Sequence, residues 1–210
     1  MGNNRRLTST VGMDFEDFTD YIYVLLKASW GDDWGTFTIE HPTSTDSTNI
    51  KFPQIVYEMT SSKPGFWGNN REIKPRFREE IQEIDEETKE KKSSSIFGQV
   101  LDMEITFYIY ANSNKHASIS TREFKNFLYE STAYFQEKGL SKLIFEEESY
   151  SPERSNETYS VRKLTYYVRL EEQYKIDNVL LKEIFVKADA LYNDTLEKNS
   201  LPSQSNIWIH

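Results

Sequence analysis

Gly98-Gln-Val-Leu-Asp-Met-Glu-Ile-Thr-Phe-Tyr-Ile-Tyr110 is the stretch on which the fold of this 210-residue chain turns. Leu101, Met103, Ile105, Phe107 and Ile109 alternate with Asp102, Glu104, Thr106, Tyr108 and Tyr110. Successive side chains of a strand point to opposite faces, so the alternation predicts a long strand with one buried face. A capped helix follows and leads into a second short strand, Leu143-Ile-Phe-Glu-Glu147. The block holds no catalytic constellation. Its specificity lies in the order of its elements, which points to assembly rather than turnover.

Working outward, Asn112 or Ser113 caps that helix. Phe124, Phe127, Leu128, Ser131 and Phe135 form its stripe, Ala117 extends the stripe backward, and Gly139 after Lys138 ends it. Residues 140–148 and 159–171 read as strands joined by a polar linker, with Leu164, Tyr166, Val168 and Leu170 as the buried row of the second. Upstream, Asp14 caps a helix over 14–29 in which Phe15, Phe18, Tyr21, Ile22, Leu25 and Leu26 recur at helical spacing, and Gly31 stops it. Residues 36–40 and 50–59 are strand candidates, and Pro64-Gly65 with Gly68-Asn69-Asn70 breaks the chain after the second. Asp177 is the expected cap of a last helix.

The order lacks a regular strand-helix-strand alternation. It predicts an α+β fold: a mainly antiparallel sheet of about five strands, packed by two to three helices, with extended arms. Residues 1–12 read as a flexible N-terminal arm, 13–176 as the folded domain with a charged protruding arm at 71–95, and 177–210 as a C-terminal helix and tail.

The 37% apolar content suits one moderate core, and the 13 Tyr and 13 Phe suit strands and contact surfaces where a large ring has one wet edge. With 25 Lys and Arg against 34 Asp and Glu, the formal charge of −9 opposes general binding to phosphate backbones. Cysteine is absent, which removes disulfides and thiolate metal sites. The N-terminal residues Met-Gly-Asn-Asn-Arg-Arg-Leu-Thr form no apolar leader, and no stretch approaches the ~20 apolar residues of a membrane span, so a soluble protein assembled inside the cell is expected.

His41, His116 and His210 are scattered in sequence, so no pair has ligand spacing on one element. Asp102 and Glu104 share a strand face, the arrangement by which strand carboxylates hold a divalent metal in nucleases; the alternative is the solvated face of a half-buried strand. No phosphate-binding loop or nucleophile elbow occurs, so no catalytic, cofactor or metal residues are assigned. Phe66, Trp67, Arg71, Ile73, Lys74 and Arg76 instead form an aromatic and cationic cluster within an acidic chain, the composition of an interface anchor. Ile207 and Trp208 in the apolar C-terminal tip are further interface candidates.

Ile55-Val-Tyr57 leading to Pro64-Gly65, Arg71-Glu-Ile-Lys-Pro-Arg76, Phe97-Gly-Gln99 leading to Glu104-Ile-Thr-Phe-Tyr-Ile-Tyr110, Phe124-Lys-Asn-Phe-Leu128 and Val161-Arg-Lys-Leu-Thr-Tyr-Tyr-Val-Arg-Leu170 occur in that order. Together, over residues 13–172, they resemble the tail terminator, or tail-completion, proteins of tailed bacteriophages of Gram-positive hosts. The charged insert after Arg76 and the residues after Ile176 depart from that pattern.

The resemblance implies a structural virion protein of the neck, not an enzyme, without cofactor. It would form a homo-oligomer, a hexameric ring, on the last ring of the tail tube protein. There it would stop polymerisation and present a surface to the head connector or stopper protein, with DNA passing through the lumen unbound. Assembly would take place in the host cytoplasm, away from membrane. The alternatives are the head-completion or stopper protein one ring higher in the neck, a metal-dependent nuclease using Asp102 and Glu104, and a plain α+β binding domain.

Overall fold

The computed structural model describes residues 12–42, 51–84, 91–155, 158–177 and 187–188. In chain order these form α1 (Phe15–Trp30), β1 (Thr36–Thr38), β2 (Gln54–Pro64), β3 (Phe66–Trp67), β4 (Asn70–Arg71), β5 (Arg76–Ile84) and β6 (Lys91–Ala111). There follow α2 (Asn114–Glu130), α3 (Thr132–Glu137), β7 (Lys142–Tyr150), a 3-10 turn (Pro152–Arg154) and β8 (Ser160–Asp177). The main sheet runs β1-β2-β6-β8-β7, with β5 paired to β6 off that path, and β3 and β4 make a separate hairpin. β1 and β2 pair in parallel, whereas β2–β6 and β7–β8 are antiparallel, so the fold is α+β.

The chain divides into two compact units, Met1–Phe77 with Phe97–Tyr174, and Arg78–Ile96 with Lys175–His210. In the first unit the odd-numbered residues of β6 face the helices. Ile55 of β2 sits opposite Ile109 and Tyr57 opposite Phe107. Met103, Ile105, Phe107 and Ile109 join Leu164, Tyr166, Val168 and Leu170 of β8 in one core, which Phe18, Ile22 and Leu26 of α1 and Phe124, Phe127 and Leu128 of α2 complete. Phe107 meets Phe124 edge-on at 5.0 Å between ring centroids. Each such side chain taken fully out of water contributes about 1.5–3 kcal/mol.

The helices start and stop where their end groups find partners. Asp14 and Asp17 form a reciprocal capping box at α1, the Asp17 N–H donating to Asp14 Oδ1 at 2.7 Å, and Gly31 at φ 81° ends that helix. Ser113, not Asn112, caps α2. The helix expected to run to Lys138 breaks at Ser131 into α2 and α3, with Thr132 Oγ1 donating back to the Leu128 carbonyl at 2.9 Å. Phe135 remains buried in the same core.

In the second unit, the charged segment that composition makes a solvated arm contains strand: β5 reaches Ile84, and β6 begins at Lys91. Ser94 and Ile96 of β6 are buried. Backbone pairing holds β5, whose exposed side chains mix Arg76, Glu79, Glu80 and Glu83 with Phe77, Gln82 and Ile84, an outcome that composition cannot report. Lys175 Nζ lies 2.5 Å from Glu83 Oε1. Asp177, the expected helix cap, is the last residue of β8. The helix expected beyond it lies outside the described residues except for Lys187 and Ala188, which are helical. Residues 1–11 of the expected N-terminal arm lie outside them as well.

Candidate functional site

β2 ends at Pro64, and the chain leaves the sheet at Gly65. The Gly65 N–H donates to the Val100 carbonyl at 2.7 Å, and the Glu72 N–H donates to the Gly65 carbonyl at 2.8 Å. Between these two residues stands the β3–β4 hairpin, with Phe66 opposite Arg71 and Trp67 opposite Asn70. Gly68, at φ 60°, supplies the left-handed backbone that a two-residue hairpin loop requires.

The base of this hairpin is braced from inside. Glu72 is fully buried among exposed neighbours, and its Oε2 accepts the Val100 N–H at 2.8 Å. Gln99 Nε2 donates to the Glu72 carbonyl at 2.9 Å. A Cβ on Gly65 would lie 2.7 Å from Val100 Cγ1 and 2.9 Å from Asp102 Oδ1, so only glycine lets the hairpin approach β6 this closely. The order Gly65, hairpin, Glu72 is therefore a clamp onto residues 99–102.

Beyond the clamp the aromatic and cationic side chains face outward. Phe66, Trp67, Ile73 and Phe77 are 43–78% exposed, and Arg71, Lys74 and Arg76 are exposed beside them. Arg71 stacks over the Phe66 ring at 5.1 Å, and Arg76 Nε lies 3.9 Å from Glu72 Oε1. Large apolar groups held in water on a braced support are the composition in which contact surfaces are enriched. The structure thus brings Phe66, Trp67, Arg71, Ile73, Lys74 and Arg76 into one continuous segment, whereas Ile207 and Trp208 lie outside the described residues.

Asp102 lies directly under the clamp. Its carboxylate accepts Arg169 Nε and Nη2 at 2.6 and 3.0 Å and the Tyr167 hydroxyl at 2.6 Å. Burial pushes its pKa up, but the hydrogen bonds from Arg169 and Tyr167 and the charges of Arg169 and Arg71 hold it below its ordinary 3.8. Burial, followed by the bond to Asp102, pushes the Tyr167 hydroxyl up to about 12. Glu104 accepts from Thr60, whose side chain bridges its carbonyl and carboxylate at 3.1 and 2.8 Å. The two carboxylates suggested for a metal are thus spent on an arginine, a tyrosine and a threonine. Among the described residues no three His, Asp or Glu converge on a cation site.

Further along the same face, Tyr108 and Tyr110 are not solvated. With Val56, Tyr159 and Val161 they form a second buried cluster, so β6 is covered on both faces near its end. Arg154 sits 4.3 Å over the Tyr108 ring, and His41 Nδ1 is 2.8 Å from the Tyr110 hydroxyl. Burial is the main cause that pushes that hydroxyl up to about 12. His41 is held below 6.5 by burial and then by Arg154, with Glu58 opposing.

On the helix side, α2 and the edge strand β7 enclose a groove of about 300 Å³ floored by Leu143, Phe145 and Tyr166 and walled by Lys125, Asn126 and Tyr129. Lys125 Nζ lies 4.8 Å over the Phe145 ring and 2.8 Å from Glu148 Oε2. Sequence reading missed both the groove and the Glu72 clamp. The signal for the clamp was a lone acid between basic residues after a Pro-Gly break. For the groove there was Tyr129, an aromatic one position off the helix stripe.

No protein-family model matches the chain, and no curated protein is significantly similar to it. None of the described helices is long and apolar enough to cross a membrane.

Proposed function

We propose that this protein is a structural component of the neck of a tailed bacteriophage, assembling as a hexameric ring that caps the tail tube, ends its polymerisation and joins it to the head connector. The observation that carries this reading is the clamped hairpin, which holds Phe66, Trp67 and three cations in water although Glu72 beneath them is fully buried. A buried carboxylate that fixes the foot of an exposed aromatic and cationic segment to the sheet holds that segment in place for contact with another protein. The order of motifs that resembles tail terminator proteins suggests the kind of contact.

In this mechanism one face of the ring matches the tube end. The opposite face differs from a tube subunit, so no further ring of tube protein adds. The −9 charge per chain leaves the lumen without affinity for passing DNA. Electron microscopy of purified virions, with the protein located by a bound antibody fragment, tests the reading. One ring at the head-proximal end of the tail is expected. Absence from mature particles overturns it, and a ring one layer higher would make the protein the stopper instead.

A further inference from the structure

The two ends of β2 carry complementary features. At Pro64 the strand passes into the clamped hairpin with its exposed rings and cations. At Gln54 it pairs with Thr36 of β1, whose N–H also donates to the Pro53 carbonyl at 3.0 Å. Beside that end, β1 and the C-terminal half of α1 enclose a cavity of about 210 Å³ lined by Tyr23, Lys27, Asp32, Trp34 and Phe37. Its walls are held by the core: Trp34 meets Trp30 edge-on at 5.3 Å, and Phe37 stacks on Tyr57 at 4.5 Å between ring centroids. Drug-sized ligands occupy about 300–1,000 Å³, so this cavity is a socket on the scale of a side chain.

The socket opens into acidic surroundings. Glu16, Asp20, Tyr23 and Lys27 recur at helical spacing on one outward stripe of α1, opposite the buried Phe18, Ile22 and Leu26. Lys27 is offset by Asp32 at 3.0 Å, and Lys51 by Asp33 at 3.2 Å. Glu16 and Asp20 are exposed and form no ion pair among the described residues, so the balance around the socket is negative. The hairpin has the opposite sign: Arg71, Lys74 and Arg76 are exposed beside its rings, and its one acid, Glu72, is turned into the base. Other faces of the same unit do not offer this match. On the sheet face away from the helices Asp102 is bound to Arg169, Glu104 to Thr60, and Glu58 lies 3.7 Å from Arg154. The exposed side of α2 bears Lys115 and Arg122, and the α2–β7 groove is lined by Lys125 and no acid.

We propose that the socket between α1 and β1 receives the hairpin of a second copy of this chain, with the Trp67 ring against Tyr23, Trp34 and Phe37, and with Arg71 and Lys74 against Asp20 and Glu16. This deepens the ring reading above and rests on it. The eleven residues of β2 set socket and hairpin about 33 Å apart, so the short hairpin of one chain does not reach the socket of the same chain. Two different patches at opposite ends of one strand make a head-to-tail contact, which propagates from copy to copy until it closes. Two copies of net charge −9 repel over most of their surface, and the meeting of three cations with an acidic socket is where that repulsion reverses. The Lys27–Asp32 pair, 53% and 77% exposed, is weak enough to yield its aspartate to an incoming guanidinium.

Two variants separate the halves of the contact: a hairpin variant carrying Trp67→Ser and Lys74→Glu, and a socket variant carrying Asp20→Lys and Tyr23→Ser. All four positions are exposed, and circular dichroism melts verify folding. Native mass spectrometry of the full chain, alone and with assembled tail tubes, is expected to show rings for the wild type and monomers for each variant alone. An equimolar mixture of the two variants retains one intact pair of surfaces and is expected to give dimers and nothing larger. A photo-crosslinking residue at position 67 of the otherwise wild-type chain is expected to capture the peptide containing Tyr23 or Trp34 of an isotopically labelled second copy.

Rings retained by either variant, a mixture that stays monomeric, or a crosslink to any other peptide overturn this contact while leaving the tail-cap reading standing. A wild-type chain that stays monomeric even beside tail tubes overturns both.

Discussion

The Glu72 carboxylate, fully buried, accepts the backbone N–H of Val100 at 2.8 Å. One hydrogen bond therefore joins the foot of the exposed hairpin to the longest strand of the sheet. Glu72→Leu leaves that N–H without its acceptor, a loss of about 1–3 kcal/mol. A lower urea midpoint and faster hydrogen exchange at the Val100 amide are the expected results. Unchanged exchange at that amide would remove the clamp from the account.

Gly65 is the second support of the hairpin. Its substitution by alanine sets a methyl group 2.7 Å from Val100 Cγ1 and 3.2 Å from the Val100 carbonyl oxygen, contacts that force strand and hairpin apart. Such overpacking typically destabilises by about 1–3 kcal/mol. Thermal denaturation of Gly65→Ala is expected to show a lower midpoint, and a wild-type midpoint would contradict the close approach.

Asp102 and Arg169 form a paired charge whose side chains are each 17% exposed. Because the folded carboxyl titrates below its ordinary 3.8, its stabilisation is fully present above that value and is lost as pH falls through the lower folded one. Asp102→Asn is expected to lower stability by about 2 kcal/mol at neutral pH, between the values for exposed and fully buried pairs. The gap between variant and wild type should narrow as pH drops below about 4. A gap independent of pH in urea titrations would rule out the ionised carboxylate as its source.

His41 works in the opposite part of the pH scale. Burial and Arg154 depress its pKa below 6.5, so as pH falls through 6.5 the unfolded chain takes up its proton first. Stability from this group is complete above 6.5 and declines below it, until the folded histidine is protonated as well. His41→Gln, which keeps a polar group near the Tyr110 hydroxyl, is expected to flatten the fall in melting temperature between about pH 7 and 5. A variant with the wild-type slope would place the titration elsewhere.

Much of the architecture was legible in local pattern. The alternation from Leu101 to Ile109 located the central strand and its core face, and Asp14, Gly31 and Gly139 marked helix ends that the structure keeps. The strand character of residues 76–84 was not legible, because their charges say solvent and only the ladder with β6 says strand. Of the candidate site, the residues Phe66 to Arg76 were visible by composition alone. What holds them, Gly65 and Glu72, was not, because a buried acid is recognisable only once its partner N–H at Val100 is in place.

By itself, then, the order of residues determined the α+β class, the face of β6 that packs on the helices and the identity of the exposed aromatic and cationic segment. These follow from periodicity and capping, which act over a few residues. Tertiary structure alone decided that Asp102 belongs to Arg169, that Tyr108 and Tyr110 are buried under His41 and Arg154, and that Tyr129 and Phe145 frame a groove at the sheet edge. Each of those joins residues far apart in the chain. Which partner a charge or a ring meets at that range is set by strand order and register, and neither is written in any local pattern.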